Sequence, residues 1–280
     1  MRYCEVNAID PYQGRPADVL SFLTALYQQG AAYGTLNSTR SALALLVDFD
    51  LAADKSIARF FKGVFRLRPP LPRYEDIWDA EIALQVLDSW WPLEELPLRK
   101  LSYRVLLLLA LSSAQRVQSF HLITVDNIRR TDSETLIAIP DLVKQSRPGK
   151  PQPLIRLPVF RSAPERCVAT TLDAYIAATE PLRPPNCPHL FITTQRPFHR
   201  ASANTLRRWI SCALRECGVE DRFTAHSTRH AATSAAHRRG VDVSTILQTA
   251  GWSGTSTFAK HYLRPVRPSP FAEAVLLRHD

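Results

Sequence analysis

The residues best equipped for chemistry crowd into one stretch, TAHSTRHAATSAAHRRGVDVSTILQTAGWSGTSTFAKHYLRPV, from Thr224 to Val266. His226 and Arg229 stand three apart and share a face if a helix begins at or just before His226. Gly251 and Trp252 follow, and Tyr262 comes ten residues after Trp252. A planar guanidinium meets anionic oxygens with paired N–H bonds, which suits the charge that builds on a phosphodiester under attack. A phenol of pKa about 10 attacks poorly at neutral pH unless cations stabilise its phenolate or a neighbour takes its proton. Arg229 fits the first task, Tyr262 is the candidate nucleophile and His226 the candidate proton acceptor.

The order His-x-x-Arg, then Gly followed by Trp, then Tyr resembles the C-terminal signature of the tyrosine recombinase (phage integrase) family. That resemblance implies an earlier arginine at the end of a buried helix and a lysine in a β-hairpin; Arg116 in SSAQRVQSF and Lys144 in DLVKQSRPGK stand in those places. It implies that Arg116 and Arg229 clamp the phosphate, and that Trp252 packs the site and donates its indole N–H to a phosphate oxygen. A flexible lysine can protonate the 5′ oxygen leaving group, and Lys144 is the first choice for it, with Lys150 in reserve. The product would be a covalent 3′-phosphotyrosine. AQRVQSF, LVKQSRPGKPQP and ILQTAGWSGTSTFAKHY look especially like recombinases of DIRS/Ngaro-type retrotransposons and Crypton-like elements. The catalytic resemblance covers roughly residues 76 to 265. Many members of the family carry an acid three positions after the first arginine, where this chain has Ser119.

Composition agrees with such a partner. Lys and Arg number 35 against 26 Asp and Glu, a formal charge of +9, which favours a polyanion such as double-stranded DNA. Arg40, Lys62, Arg66 and Arg68 in the N-terminal part, Lys150, and Arg207 and Arg208 beside Trp209 are the candidate DNA contacts. The five cysteines are odd in number and form no C-x-x-C pair, so a disulfide framework is not expected and they read as reduced and mostly buried. The longest apolar run, Val105 to Leu111, is far short of a membrane span, and the expectation is an intracellular protein, nuclear if the host is eukaryotic.

The elements that must position these residues divide the chain in two. Helical spacing over Pro16 to Gly30, Thr35 to Phe49 and from Asp54 predicts an all-helical first domain, residues 1–66, of the core-binding kind. The proline-rich stretch that follows predicts a basic linker over 67–76. A catalytic domain of 77–265 is expected to be mainly helical with a small β-sheet, an α+β unit. Its expected helices are Ile77 to Trp91, Leu98 to Ser113, a short stretch to Val125, Glu165 to Thr179, Ser202 to Cys217, Ser227 to Arg239 and Val243 to Thr249. Thr135 to Pro140 and Leu154 to Val159 read as a hairpin, and HLFIT at 189–193 as a strand-like piece. Residues 266–280 form a tail suited to contact between protomers through Phe271 to Leu277, and the resemblance implies two domains clamped on DNA and a homotetramer on paired sites.

Singly, each residue has an ordinary use: Arg116 as a capping arginine, Lys144 and Lys150 as solubilising charges, Trp252 and Tyr262 as core aromatics. His226 and His230 share a helix face as a metal pair would, but no acidic or cysteine ligand lies at a matching spacing, so no metal or other cofactor is expected. The rival functions are a DNA-binding protein that no longer cuts and a type IB topoisomerase-like enzyme.

Overall fold

The computed structural model describes residues 2–71, 74–149 and 151–252. The chain divides into two compact units after residue 73.

In the first unit, α1 (Arg2–Val6), α2 (Pro16–Gln28), α3 (Tyr33–Leu43) and α4 (Lys55–Leu67) are the described helices. Pro16 opens α2, where its missing N–H costs nothing. Asp54 caps α4 by accepting from the backbone N–H groups of Ser56 and Ile57, each at 2.9 Å. Leu23, Leu36, Ile57 and Phe61 are buried together, and this small core holds the helices in place. α3 stops at Leu43 rather than Phe49, since residues 44–49 break into turns although their apolar spacing continues. Phe65, which fits the helical spacing of α4, is left 52% exposed.

The second unit contains α5 (Ala80–Asp88), α6 (Leu98–Ser113), α7 (Val117–His121), β1 (Ile128–Arg130), β2 (Glu134–Ala138), β3 (Leu154–Pro158), α8 (Val168–Thr179), α9 (Ala203–Glu216), α10 (Ser227–Arg238) and α11 (Val243–Ala250). It is mainly helical with one small antiparallel sheet of order β1-β2-β3. α6 is the central post: from Leu101 to Ala110 every residue is buried, Ser102 and Arg104 included. α8, α9 and α10 pack against it. In β2 and β3, Thr135 pairs with Leu157 and Ile137 with Ile155, and these four are buried while their neighbours are more exposed. The expected hairpin is therefore present, with residues 139–153 as its connection.

Several boundaries differ from the spacing. β1 was not expected, because a three-residue strand with two arginines carries no alternating pattern. HLFIT does not join the sheet; it makes only the isolated bridges Thr124 to His189 and Ile192 to Arg200, although Leu190, Phe191 and Ile192 are buried. α5 begins at Ala80, where Asp79 caps it by accepting from Glu81 N–H, rather than at Ile77. Tyr74, inside the stretch expected as linker, is buried in the core of the second unit. The five cysteines are free; Cys167 and Cys217 are buried and the other three only half-buried, fewer than the spacing led one to expect. Burial pushes the Cys217 thiol up to about 12, which leaves it inert. No helix among the described residues is long and apolar enough to cross a membrane.

Arg104 lies within this core and is fully buried. Its guanidinium donates to the carbonyls of Leu87, at the end of α5, and Glu165, ahead of α8, so one side chain ties three segments together. Burial pulls its pKa down to about 10, and it stays charged at neutral pH. Arg104→Ala is expected to cost about 3 kcal/mol of stability, because it leaves a cavity and two buried carbonyls without donors. Urea unfolding checks this; a loss under about 1 kcal/mol would mean that water replaces the guanidinium.

Candidate active site

α6 ends in a left-handed turn at Ala114, with φ at 49°. A residue with a Cβ adopts this conformation at a cost, and here the methyl group is buried with Ala232, Ile246, Ala250 and Trp252. The turn sends the chain sideways, so that Gln115 is buried and Arg116, half-buried, stands just ahead of α7. Arg116 therefore sits at the end of the buried helix.

α11 closes on Gly251 in the left-handed conformation, φ 67°, with Trp252 N–H donating to Leu247 O at 2.8 Å. Trp252 is thereby buried against Ala114 and α10. Arg229, on α10, is 1% exposed; it donates through Nη2 to Ala250 O at 3.1 Å, and its guanidinium carbon lies 5.2 Å from the centre of the Trp252 ring. The carbonyl of Ala250 is one of those left over at the end of a helix, and a cation is the natural donor to it.

The hairpin connection reaches the same place. Gln145 accepts from Arg116 Nη1 at 2.9 Å and donates to Gln115 Oε1 at 3.2 Å. Gln115 donates in turn to Thr249 O at 2.7 Å, in the last turn of α11. Lys144 is exposed, with its backbone N–H on Gln118 Oε1 at 3.2 Å. Ser119, where many members of the family it resembles carry an acid, donates to Gln115 Oε1 at 3.3 Å, and the partner of Arg116 is the neutral amide of Gln145.

Arg116, the connection bearing Lys144, Arg229 and Trp252 are thus joined around the end of α11. His226 stands exposed at the start of α10 without a side-chain capping bond, its ring 5.3 Å from that of buried His230 and edge-on to it. Tyr262 and Lys150 lie outside the described residues. Of the expected DNA contacts, Lys62, Arg66, Arg207 and Arg208 are exposed, although Arg207 Nη1 also donates to Asn204 Oδ1 at 2.6 Å. Arg40 and Arg68 are committed locally: Arg40 donates to Asn37 Oδ1 at 2.8 Å and covers Phe61, while Arg68 donates to Ala31 O at 2.9 Å over the ring of Tyr27.

Sequence reasoning missed Gln115 and Gln145, for which nothing in their spacing speaks. It also missed Tyr74 and Trp78, which hold the start of α10: Tyr74 Oη lies 3.1 Å from Thr224 Oγ1, and Trp78 donates to Ser227 Oγ at 2.9 Å. Two aromatics with polar atoms, at the end of and just after the proline-rich stretch, were the available signal.

Gly251 is the tightest point. A Cβ there would lie 2.6 Å from both Cδ and Nε2 of Gln145, in a backbone conformation that already disfavours a side chain. Gly251→Ala is expected to cost about 1–3 kcal/mol, of which about 1 is backbone strain and the rest displacement of the amide. In a Gln145→Ala background the cost should fall to the backbone part. Equal costs in both backgrounds, by urea unfolding, would show that the amide and the glycine do not interact.

Residues 93–267, more than half of the chain, match the phage integrase family. The chain belongs to the phage integrase family. This is the family of tyrosine recombinases, enzymes that break and rejoin DNA. Solved phage integrase relatives share the fold at low identity. The XerH site-specific recombinase, in a post-cleavage complex with a palindromic difH substrate, is 14% identical with a TM-score of 0.61, over 94% of this chain and 72% of that one. The Tn1549 transposon integrase, in complex with circular intermediate DNA, is 12% identical with a TM-score of 0.61, over 96% and 87%. Lambda integrase, as a dimer on a COC′ core site, is 16% identical with a TM-score of 0.54, over 92% and 83%. No curated protein matches the chain.

Proposed function

We propose that this member of the phage integrase family is an active site-specific recombinase that cuts and rejoins double-stranded DNA through a covalent 3′-phosphotyrosine at Tyr262. The observation that carries the reading is the convergence of Arg116, Arg229 and the Lys144 connection on the last residues of α11, Thr249 and Ala250, shortly before Tyr262 in the sequence. The arginines hold the non-bridging oxygens of the scissile phosphate and stabilise the added charge of the pentacoordinate state. His226 takes the phenol proton as Tyr262 Oη attacks phosphorus. The bond from phosphorus to the 5′ oxygen breaks, and Lys144 protonates the departing oxygen; Lys150 is the alternative donor. The 5′ hydroxyl then attacks a phosphotyrosine on a partner strand by the reverse steps. Bond energy is conserved, so the exchange runs without ATP.

Lys62, Arg66, Arg207 and Arg208, all exposed, supply phosphate contacts to the duplex. Exchange between two sites calls for a homotetramer, with the tail of 266–280 a candidate for the contact between protomers. The likeness of AQRVQSF and LVKQSRPGKPQP to DIRS/Ngaro and Crypton recombinases favours a mobile element of eukaryotes as the source, and hence work in the nucleus.

A nicked suicide substrate tests the reading. Selection from random DNA supplies the site, and the wild-type chain should become covalently linked, with the phosphopeptide mapping to Tyr262. Binding without any covalent product would favour a protein that has ceased to cut. Relaxation of supercoils without strand exchange would favour a topoisomerase.

A further inference from the structure

Gln145 has no part in the chemistry above, yet its amide meets two separate segments of the site, the turn after α6 and the end of α11. Its oxygen accepts from Arg116 Nη1 at 2.9 Å, its nitrogen donates to Gln115 Oε1 at 3.2 Å, and the same amide covers Gly251 so closely that a Cβ there would displace it. Gln115 carries the link on to Thr249 O at 2.7 Å. The residue before Gln145 is Lys144, whose own side chain is exposed and whose backbone is held by Gln118.

We propose that Gln145 is a positioning residue: it latches the lysine-bearing connection onto Arg116 and the end of α11, so that leaving-group acid and phosphate clamp move as one body. The chemistry explains why an amide serves. Lys144 lies within a fifteen-residue connection between β2 and β3, residues 139–153, and a free loop of that length would sample many positions. Two hydrogen bonds from the neighbouring side chain, together with buried Val143 and the bond from Lys144 N–H to Gln118, restrict that freedom. A carboxylate at the same place would also accept from Arg116, but it would offset the positive charge that the phosphate needs. A neutral acceptor orients the guanidinium and leaves its charge available. Gly251 completes the arrangement, because a Cβ at this left-handed turn would push the amide out of its present place.

This inference rests on the proposed recombinase reading for its catalytic consequence, but the latch itself can be read without turnover. Amide hydrogen exchange over residues 141–149 of the free full-length protein should rise in Gln145→Ala and in Gln145→Met, the second of which keeps the bulk against Gly251 and loses both hydrogen bonds. Gln145→Glu keeps the acceptor for Arg116 and should recover most of the protection. On the nicked substrate at saturating DNA, Gln145→Met should trap about 10–100-fold more slowly than wild type, with melting temperature and DNA affinity nearly unchanged. Replacing the bridging 5′ oxygen of the substrate by sulfur, whose thiolate leaves without a proton, should return part of that loss, namely the part due to a misplaced Lys144. Unchanged exchange in Gln145→Met overturns the latch. A wild-type trapping rate in that variant, or a loss on the sulfur substrate as large as on the oxygen one, overturns its coupling to Lys144. Failure of the wild type to trap at all would instead remove the recombinase reading, and the exchange measurement would still decide the latch.

Discussion

Tyr262→Phe is expected to bind its DNA site within about threefold of wild type and to form no covalent product, even on long incubation. The substitution removes one oxygen and keeps the ring, so phosphate contacts made by arginine and lysine persist, and those contacts dominate affinity. The other tyrosines of the second unit offer no substitute. Tyr74, Tyr103 and Tyr175 are buried, and burial pushes the Tyr175 phenol up to about 12. Tyr74 comes nearest to α10, but its hydroxyl lies against Thr224 and its ring against Phe223 and His230. Persistent covalent product in Tyr262→Phe, by denaturing gel with labelled DNA, would point to another nucleophile and sink the assignment.

Arg229→Gln is expected to lower the trapping rate by about 10³-fold or more at saturating DNA, the scale on which a lone cationic clamp contributes to phosphoryl transfer. The same change should lower stability by about 2–4 kcal/mol, since Arg229 is wholly buried, donates to Ala250 O and faces the Trp252 ring. The two effects separate when the rate is measured well below the melting temperature of the variant. Arg229→Lys keeps the charge but not the planar fork, so it should recover less than a tenth of the lost rate. A glutamine variant that traps within tenfold of wild type would leave Arg229 as a packing residue. Arg116→Gln should follow the same pattern with a smaller stability cost, because Arg116 is only half-buried.

Much of the scaffold was legible in the sequence because it rests on local, periodic signals. Unbroken apolarity from Val105 to Leu111 marked α6 as central, and its bounds at Leu98 and Ser113 came out as the spacing indicated. Ser202 and Asp54 announced helix starts by the capping chemistry that the structure shows. Where local signals conflict with packing, the spacing failed: residues 44–49 keep helical periodicity but turn, and HLFIT has the apolarity of a strand but no partner in the sheet.

The order and type of residues alone determined the family and named the residues that could cut DNA: Arg116, Lys144, His226, Arg229, Trp252 and Tyr262. Only the tertiary structure decided what holds those it describes. Gln115 reaches Thr249 across 134 positions, Arg116 reaches Gln145 across 29, and Trp78 reaches Ser227 across 149. Such bonds join single side chains far apart in the chain, so they leave no period or spacing to read. A glutamine in a turn is an ordinary polar residue until folding brings it beside an arginine and over a glycine, and that proximity makes Gln145 part of the site.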